Sequence, residues 1–427
     1  MSQRNSRWPG FFKLSVEERR RVAAEALGMD VAELTAAVGN GGLGCEKADK
    51  IIENVVGTFA LPFALALNVK IDGEDFVAPM VVEEPSVVAA ASNAAKMIRA
   101  GGGFDAETDD PIMTSQVQLD DVPDAKAAAE AIRKHTGELV ALGNESVPGL
   151  VRRGGGVRGM QPRDLGDGLF VVHVFVDCRD AMGANLVNTV AEAVSDRIGQ
   201  LCGGEVGLRI LSNLCDERKV RVKCRVPADA LAGNGFSGAQ VRDGIVKASR
   251  FAERDPYRAT THNKGLMNGL DAVVLATGND WRAVESAAHA YAARSGQYGP
   301  LCTWRADGDD LVGQLEMPLS LGIVGGPSRV HPGAAMGLKV ANVRSAGELA
   351  KVAACVGMAS NMAALRALAT EGIQKGHMAL HARSVAIAAG ATGNDVERVA
   401  KSIHARGEVN LETARQVLSA PPPPAAE

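Results

Sequence analysis

The sequence predicts an α+β fold, and three observations carry that reading. Residues 110–216 run strand, helix, strand, strand, helix, strand, the order of a ferredoxin-like split βαβ unit. The segments that follow carry mostly helical periodicity. Aromatic residues are only 4% of the 427, against 48 glycines, which calls for close-packed helices with small contact residues rather than an aromatic core.

The elements follow in order. Ser15-Val-Glu-Glu18 opens a first helix as a capping box, and Asp30-Val-Ala-Glu33 repeats the pattern. Gly39-Asn-Gly-Gly-Leu-Gly44 breaks the chain. Residues 54–82 read as extended, with a hairpin around Asp72-Gly73. Pro85 suits the first position of a helix running to Arg99, because its missing N–H would be unpaired there anyway. Gly101-Gly-Gly103 ends it. In the next unit, Gln116–Leu119 reads as strand and Ala125–Leu142 as helix. Val157–Arg163 and Leu169–Asp177 are strands joined at Gly166-Asp-Gly168, Ala181–Leu201 is a helix, and Val206–Leu211 closes as a strand. Lys219–Val226 is a further strand. Helices are expected at Gly238–Ala252, Trp281–Arg294 and Ala346–Thr370, with a last helical module from His377 to Leu418. The tail Pro421–Glu427 is of low complexity and expected to be disordered.

Composition excludes several classes. A net charge of −4 gives no electrostatic case for nucleic acid or an anionic membrane. No apolar run reaches the roughly 18–20 residues that cross a bilayer; the best candidate, Val55–Val69, is broken by Gly57 and Pro62. The N-terminus lacks the apolar core of a signal peptide. Seven scattered cysteines with no Cys-x-x-Cys pair read as reduced thiols in a cytoplasm. No metal site is expected: His377 and His381 stand at helical spacing but lack the intervening glutamate of a metalloprotease.

The chemical residues concentrate in a few segments. Ala259-Thr-Thr-His-Asn-Lys264-Gly-Leu-Met-Asn268 places Lys264 in what reads as a short polar loop bounded by Gly265 and Gly269. With Arg258, His262, Asn263 and Asn268 it would suit an anionic, oxygen-rich substrate. Asp280, in Thr277-Gly-Asn-Asp280, reads either as the third residue of a capping box or as a carboxylate partner for Lys264. Glu83-Glu84 reads either as carboxylates complementing the helix dipole or as a catalytic acid. His377, after Gly376 at an apparent helix start, would have its pKa lowered by the positive helix end. Asp180-Ala-Met182-Gly183-Ala-Asn185 lies where a strand gives way to a helix, and free N–H groups there suit a diphosphate. Gly322-Ile-Val-Gly325-Gly326-Pro327 is a second glycine loop.

Taken together these segments resemble the soluble bacterial class II 3-hydroxy-3-methylglutaryl-coenzyme A reductases. Six markers occur in the family's order: Glu53-Asn-Val-Val-Gly57, Glu83-Glu-Pro-Ser86, Asp180–Asn185, Thr261-His-Asn-Lys-Gly265, Thr277–Asp280 and Gly376-His-Met-Ala-Leu-His381. The resemblance implies reduction of a thioester to mevalonate by two hydride transfers, with release of coenzyme A. It casts Glu84 as the catalytic glutamate and Lys264 as the oxyanion-stabilising lysine. Asp280 becomes that lysine's partner, and His377 the imidazole that protonates the departing thiolate. Ser86, Asn213, Arg258, Asn268 and His381 would line the substrate pocket. Asp180, Met182, Gly183, Asn185, Gly325 and Gly326 would hold the dinucleotide.

The implied architecture is a large, mainly helical catalytic domain (1–109 and 217–374), an inserted ferredoxin-like dinucleotide-binding domain (110–216) and a C-terminal helical flap (375–427). The family implies at least a homodimer, with active sites at the subunit interface. NADH-preferring relatives carry an aspartate near the adenosine ribose. Here the chain departs from that pattern, with Val147 at the matching position and only Glu145 nearby, and NADH is kept ahead of NADPH. The alternative reading is a coenzyme A-thioester enzyme, an acyl transferase or lyase, without hydride transfer.

Overall fold

The computed structural model describes residues 5–326, 330–370 and 372–420; within them, the side chains of residues 40 and 373–380 are not described. The tail 421–427 lies outside the described residues.

A 3₁₀ turn (Phe11–Lys13) leads to helices α1 (Val16–Leu27), α2 (Val31–Val38) and, after a second 3₁₀ turn, α3 (Cys45–Asp49). Ser15 and Glu18 form the expected capping box, with Ser15 N–H donating to Glu18 Oε2 at 2.8 Å and Glu18 N–H to Ser15 Oγ at 3.2 Å. Asp30 caps α2 alone, accepting from Ala32 N–H at 2.8 Å, while Glu33 pairs with Lys339. Residues 50–62 form an arm without helix or strand, on which Val56 and Phe59 are 104% and 92% exposed.

Strands β1 (Phe63–Ile71) and β2 (Glu74–Val81) form the hairpin at Asp72-Gly73. Both turn residues have positive φ, 50° and 87°, as a tight primed turn requires. Helix α4 (Val87–Ala100) and strand β3 (Phe104–Thr108) follow. Pro85 is not the first helical residue. The helix opens two residues later, because Ser86 is held in the left-handed region (φ 74°) as its N-cap.

The next unit runs β4 (Ile112–Asp120), α5 (Ala125–Lys134), α6 (Thr136–Ser146), α7 (Pro148–Val151), β5 (Gly156–Gly166), β6 (Leu169–Asp177), α8 (Ala184–Cys202) and β7 (Glu205–Leu211). Its sheet order is β5-β6-β4-β7, antiparallel throughout, which is the ferredoxin-like arrangement. The single helix expected over Ala125–Leu142 is two, meeting at His135.

The chain then forms β8 (Lys219–Val226), α9 (Ala228–Leu231), α10 (Gly238–Arg254), α11 (Pro256–Ala276), α12 (Trp281–Ala292), β9 (Cys302–Asp307), β10 (Asp310–Pro318), α13 (Pro332–Ala341) and α14 (Ala346–Ala369). The larger sheet has the order β2-β1-β3-β8-β10-β9, and only its β1–β3 pair is parallel. Helix α14 is long and apolar enough to cross a bilayer, yet 67% of its apolar stretch is buried. Leu349, Val352, Val356 and Met362 instead pack with Leu266 and Leu270 of α11. Val55–Val69, the apolar stretch singled out from sequence, is the arm plus most of β1.

Helices α15 (Ile373–Ala388), α16 (Asn394–Ala405) and α17 (Leu411–Ser419) end the described chain. They share a small core of their own, including Ala382, Ala386, Val399, Ile403, Ala414 and Val417. Arg383 and Glu397 tie α15 to α16 at 2.6 Å.

Candidate active site

Lys264 does not lie in a loop. It is mid-way along α11, a 21-residue helix capped by Asp255, whose side chain accepts from Tyr257 and Arg258 N–H, with Pro256 in the first turn. The glycines that suggested a loop serve packing. A Cβ at Gly269 would lie 2.6 Å from Val356 O and 2.8 Å from Ser360 Cβ, so glycine lets α11 and α14 approach closely. His262 and Asn263, expected in the polar substrate cluster, face inward instead. His262 Nε2 bonds Cys302 O at 2.8 Å, and burial pushes its pKa down to about 4, so the ring is neutral near pH 7. Asn263 Nδ2 donates to Tyr298 Oη and Gly299 O, both at 3.0 Å, and its Oδ1 accepts from Leu301 N–H at 2.9 Å.

The outward face of α11 carries the candidate site residues. Lys264 and Asn268 are one turn apart and meet the same carboxylate oxygen: Lys264 Nζ stands 2.7 Å, and Asn268 Nδ2 3.4 Å, from Glu84 Oε2. Glu84 comes from the bend between β2 and α4, 180 residues away in sequence. The dipole-complementing reading of Glu83-Glu84 fails, because α4 has no acidic residue in its first turn. Lys264 is 61% exposed in the single chain, and an exposed pair contributes at most about 1 kcal/mol.

Asp280 is itself the N-cap of α12, not the third helical residue. Its Oδ1 accepts from Arg282 and Ala283 N–H at 3.1 Å each, and Oδ2 has no hydrogen-bond partner among the described residues. Within one chain no ion pair joins Asp280 to Lys264 among the described residues. Arg258 is half-buried beside the start of α11, with no carboxylate partner among the described residues. Asn213 is exposed in the turn after β7, and His381 is exposed on α15. That helix begins at Ile373, so His377 is a full turn inside it rather than at its start, and the dipole argument for its pKa lapses. The His377 side chain lies outside the described residues.

The two glycine segments come together. Ala181 and Val324 form a parallel bridge, and Ile323 N–H donates to Asp180 O at 2.9 Å. Gly183 caps α8 at φ 110°, with Cys178 Sγ 2.5 Å from where a Cβ would be, so no side chain fits there. Asn185 is exposed in the first turn of α8. Gly325 and Gly326 have φ 78° and 60° with open space around them. These features fit a dinucleotide's diphosphate: backbone donors at a helix start and glycines that admit close approach. Asp180 and Met182 serve this turn through the backbone. Asp180 Oδ1 is engaged with Ala346 N–H at 2.9 Å, and Met182 O accepts from Arg218 at 3.1 Å.

Val147 is buried. It is 6% exposed, in the core of the small sheet unit. Sequence reading also missed Asn279, whose Oδ1 accepts from Gly322 N–H at 2.7 Å while its Nδ2 donates to Gly322 O at 3.1 Å. That pairing anchors the second glycine loop to the start of α12. Its one signal was adjacency to Asp280.

The family model described as hydroxymethylglutaryl-coenzyme A reductase matches residues 15–382. This chain belongs to that family. The 3-hydroxy-3-methylglutaryl-coenzyme A reductase of Archaeoglobus fulgidus is 47% identical over 418 residues, covering 97% of this chain and 94% of the relative. A probable reductase of Borreliella burgdorferi is 35% identical, covering 78% and 77%. Among solved structures, the reductase from Streptococcus pneumoniae superposes with TM-score 0.83 at 40% identity, covering 96% of this chain and 99% of that one. The same organism's class II reductase bound to NADPH in open conformations gives 0.82, covering 85% and 100%. The chain is therefore a hydroxymethylglutaryl-coenzyme A reductase family oxidoreductase that works with a nicotinamide cofactor, and the reading as a transferase or lyase without hydride transfer falls.

Proposed function

We propose that Glu84, Lys264, Asp280 and His377 carry out the reduction of 3-hydroxy-3-methylglutaryl-coenzyme A to mevalonate in this chain. The observation that carries the assignment is the Lys264–Glu84 pair at 2.7 Å, with Asn268 on the same oxygen. A reduced nicotinamide, when bound, supplies one hydride to each of two steps. Lys264 then stabilises the oxyanion that forms on the thioester carbonyl, and Glu84 with Asn268 fixes the ammonium's position. Asp280 contributes its uncommitted Oδ2 as a second carboxylate towards that ammonium. As the hemithioacetal collapses, His377 gives its proton to the departing thiolate. The second addition reduces the aldehyde, and the proton for the new hydroxyl comes through Glu84 or Lys264.

Arg258 receives the substrate's free carboxylate, which a guanidinium binds bidentately. Ser86, Asn213 and His381 complete the pocket. Oxyanion stabilisation is strong only where water is excluded, and Lys264 in one chain is largely exposed. Cover comes from closure of α15–α17 and from a second copy docked on the arm bearing Val56 and Phe59, giving a homodimer. The free cysteines fit a cytoplasmic setting.

NADH is the hydride source on the strength of Glu145, exposed beside Val147. NADPH is the second reading, favoured by Arg152 and Arg153, whose guanidinium atoms come within 3.9 and 3.6 Å of a Cβ built on Gly149. Parallel assays with the two cofactors decide through the ratio of kcat/KM. The overall assignment is tested by stoichiometry: two reduced nicotinamides are consumed per coenzyme A released. Lys264→Met lowers kcat by about 10²-fold or more with the fold intact; near-normal turnover would remove the lysine from the chemistry.

A further inference from the structure

Arg218 stands where the chain returns from the small sheet unit to β8. It is 5% exposed, and no carboxylate bonds it among the described residues. Its guanidinium donates instead to three backbone carbonyls. Nη1 reaches Ala181 O at 3.2 Å and Met182 O at 3.1 Å, and Nη2 reaches Leu321 O at 2.5 Å. Those carbonyls belong to both glycine turns: Met182 precedes Gly183, and Leu321 precedes Gly322. The nearest acids are committed elsewhere. Asp177 pairs with Arg158 and Arg179, and Asp180 Oδ1 holds Ala346 N–H.

A desolvated cation bonded only to neutral carbonyls is costly to keep. An apolar side chain of similar volume would avoid that cost, unless an anion in front of the turns offsets the charge. We propose that Arg218 is a positioning residue for the dinucleotide. It fixes Ala181–Met182 against Leu321, so that the free N–H groups at the start of α8 and the Gly325–Gly326 backbone present one surface. It also places a buried positive charge behind the diphosphate. The proposal rests on reading the two turns as the cofactor site.

The test is fluorescence titration of reduced dinucleotide, with free coenzyme A titrated separately, on the wild type, Arg218→Met, Arg218→Lys and Asn185→Ala. Arg218→Met raises the dinucleotide Kd by about tenfold or more, while the coenzyme A Kd stays within about twofold. Arg218→Lys recovers part of the loss, because it keeps the charge but cannot span three carbonyls as a planar fork does. Unchanged dinucleotide affinity in both Arg218 variants, with Asn185→Ala weakened, overturns the proposal. So does equal weakening of both ligands, which marks a general loss of structure. Unchanged affinity in all three variants instead overturns the assignment of the turns, and the proposal with it. If Arg218→Met does not fold, the ratio of the two Kd changes in Arg218→Lys decides.

Discussion

Ser86 holds φ 74° and ψ −19°, a region that a residue with a Cβ enters at a cost of about 1–3 kcal/mol. The strain lies two residues from Glu84, where the chain must turn sharply from β2 into α4. Ser86→Gly therefore raises unfolding free energy by about 1 kcal/mol, read from the denaturant midpoint. It also raises KM for the acyl-coenzyme A, since the hydroxyl assigned to the pocket is gone. A second stored cost is Asp271, one turn beyond Asn268 on α11. Its Oδ1 is buried without a hydrogen-bond partner, and burial, then the neighbouring Glu285 carboxylate, push its pKa well up. Glu285 pairs with His289 at 2.6 Å, and His289 contacts Tyr298 Oη at 2.7 Å, the oxygen that also receives Asn263. A carboxyl protonated when folded and ionised when unfolded makes stability fall as pH rises above the ordinary aspartate range. The slope from one such group is at most about 1.4 kcal/mol per pH unit. Asp271→Asn removes it, so urea midpoints measured between about pH 5 and 8 decline less with pH than in the wild type.

At the scale of elements, α11 and α12 carry Lys264, Asn268 and Asp280, the candidate site residues of this part of the chain. Asp280 caps α12, and the chemical role proposed for it can be separated from that structural one. Its cap bonds need only an accepting oxygen, which asparagine also offers. Asp280→Asn is therefore expected to keep thermal stability within about 0.5 kcal/mol while turnover falls sharply, because the carboxylate proposed as a second partner for the ammonium loses its charge. Asp280→Ala loses both. The legibility of these helices differed for a physical reason. The Ser15–Glu18 capping box, the Asp72-Gly73 turn and the split βαβ order are local signals and were readable, whereas the boxes read at Asp30 and Thr277 are not formed. Helix α11 was not, because Gly265 and Gly269 look like breakers until α14 is seen lying against them. The β9–β10 hairpin and α13 were likewise invisible to local pattern.

At the scale of the molecule, one chain leaves Lys264 largely in solvent and four large apolar residues of the arm, Ile51, Ile52, Val56 and Phe59, exposed. Both exposures are expected to close together in the assembled enzyme. Phe59→Asp, or Val56→Asp with it, should shift sedimentation towards the monomer and reduce kcat, while far-UV circular dichroism stays unchanged. The helices α15–α17 have a core of their own, and Gly372 stands at φ 82° where α14 gives way to α15.

The sequence by itself determined the family and the α+β class, and it singled out Glu84, Lys264 and the glycine turns as candidates, since all of these rest on residue type and local order. Only the tertiary structure decided which side chains meet. It brought Glu84 to Lys264 across 180 residues, turned His262 and Asn263 inward, sent Val147 into a core and set Arg218 behind both turns. The physical reason is that a side chain's partner depends on which helix face or sheet edge packing leaves open. That is settled by contacts between segments remote in sequence, which no local pattern records.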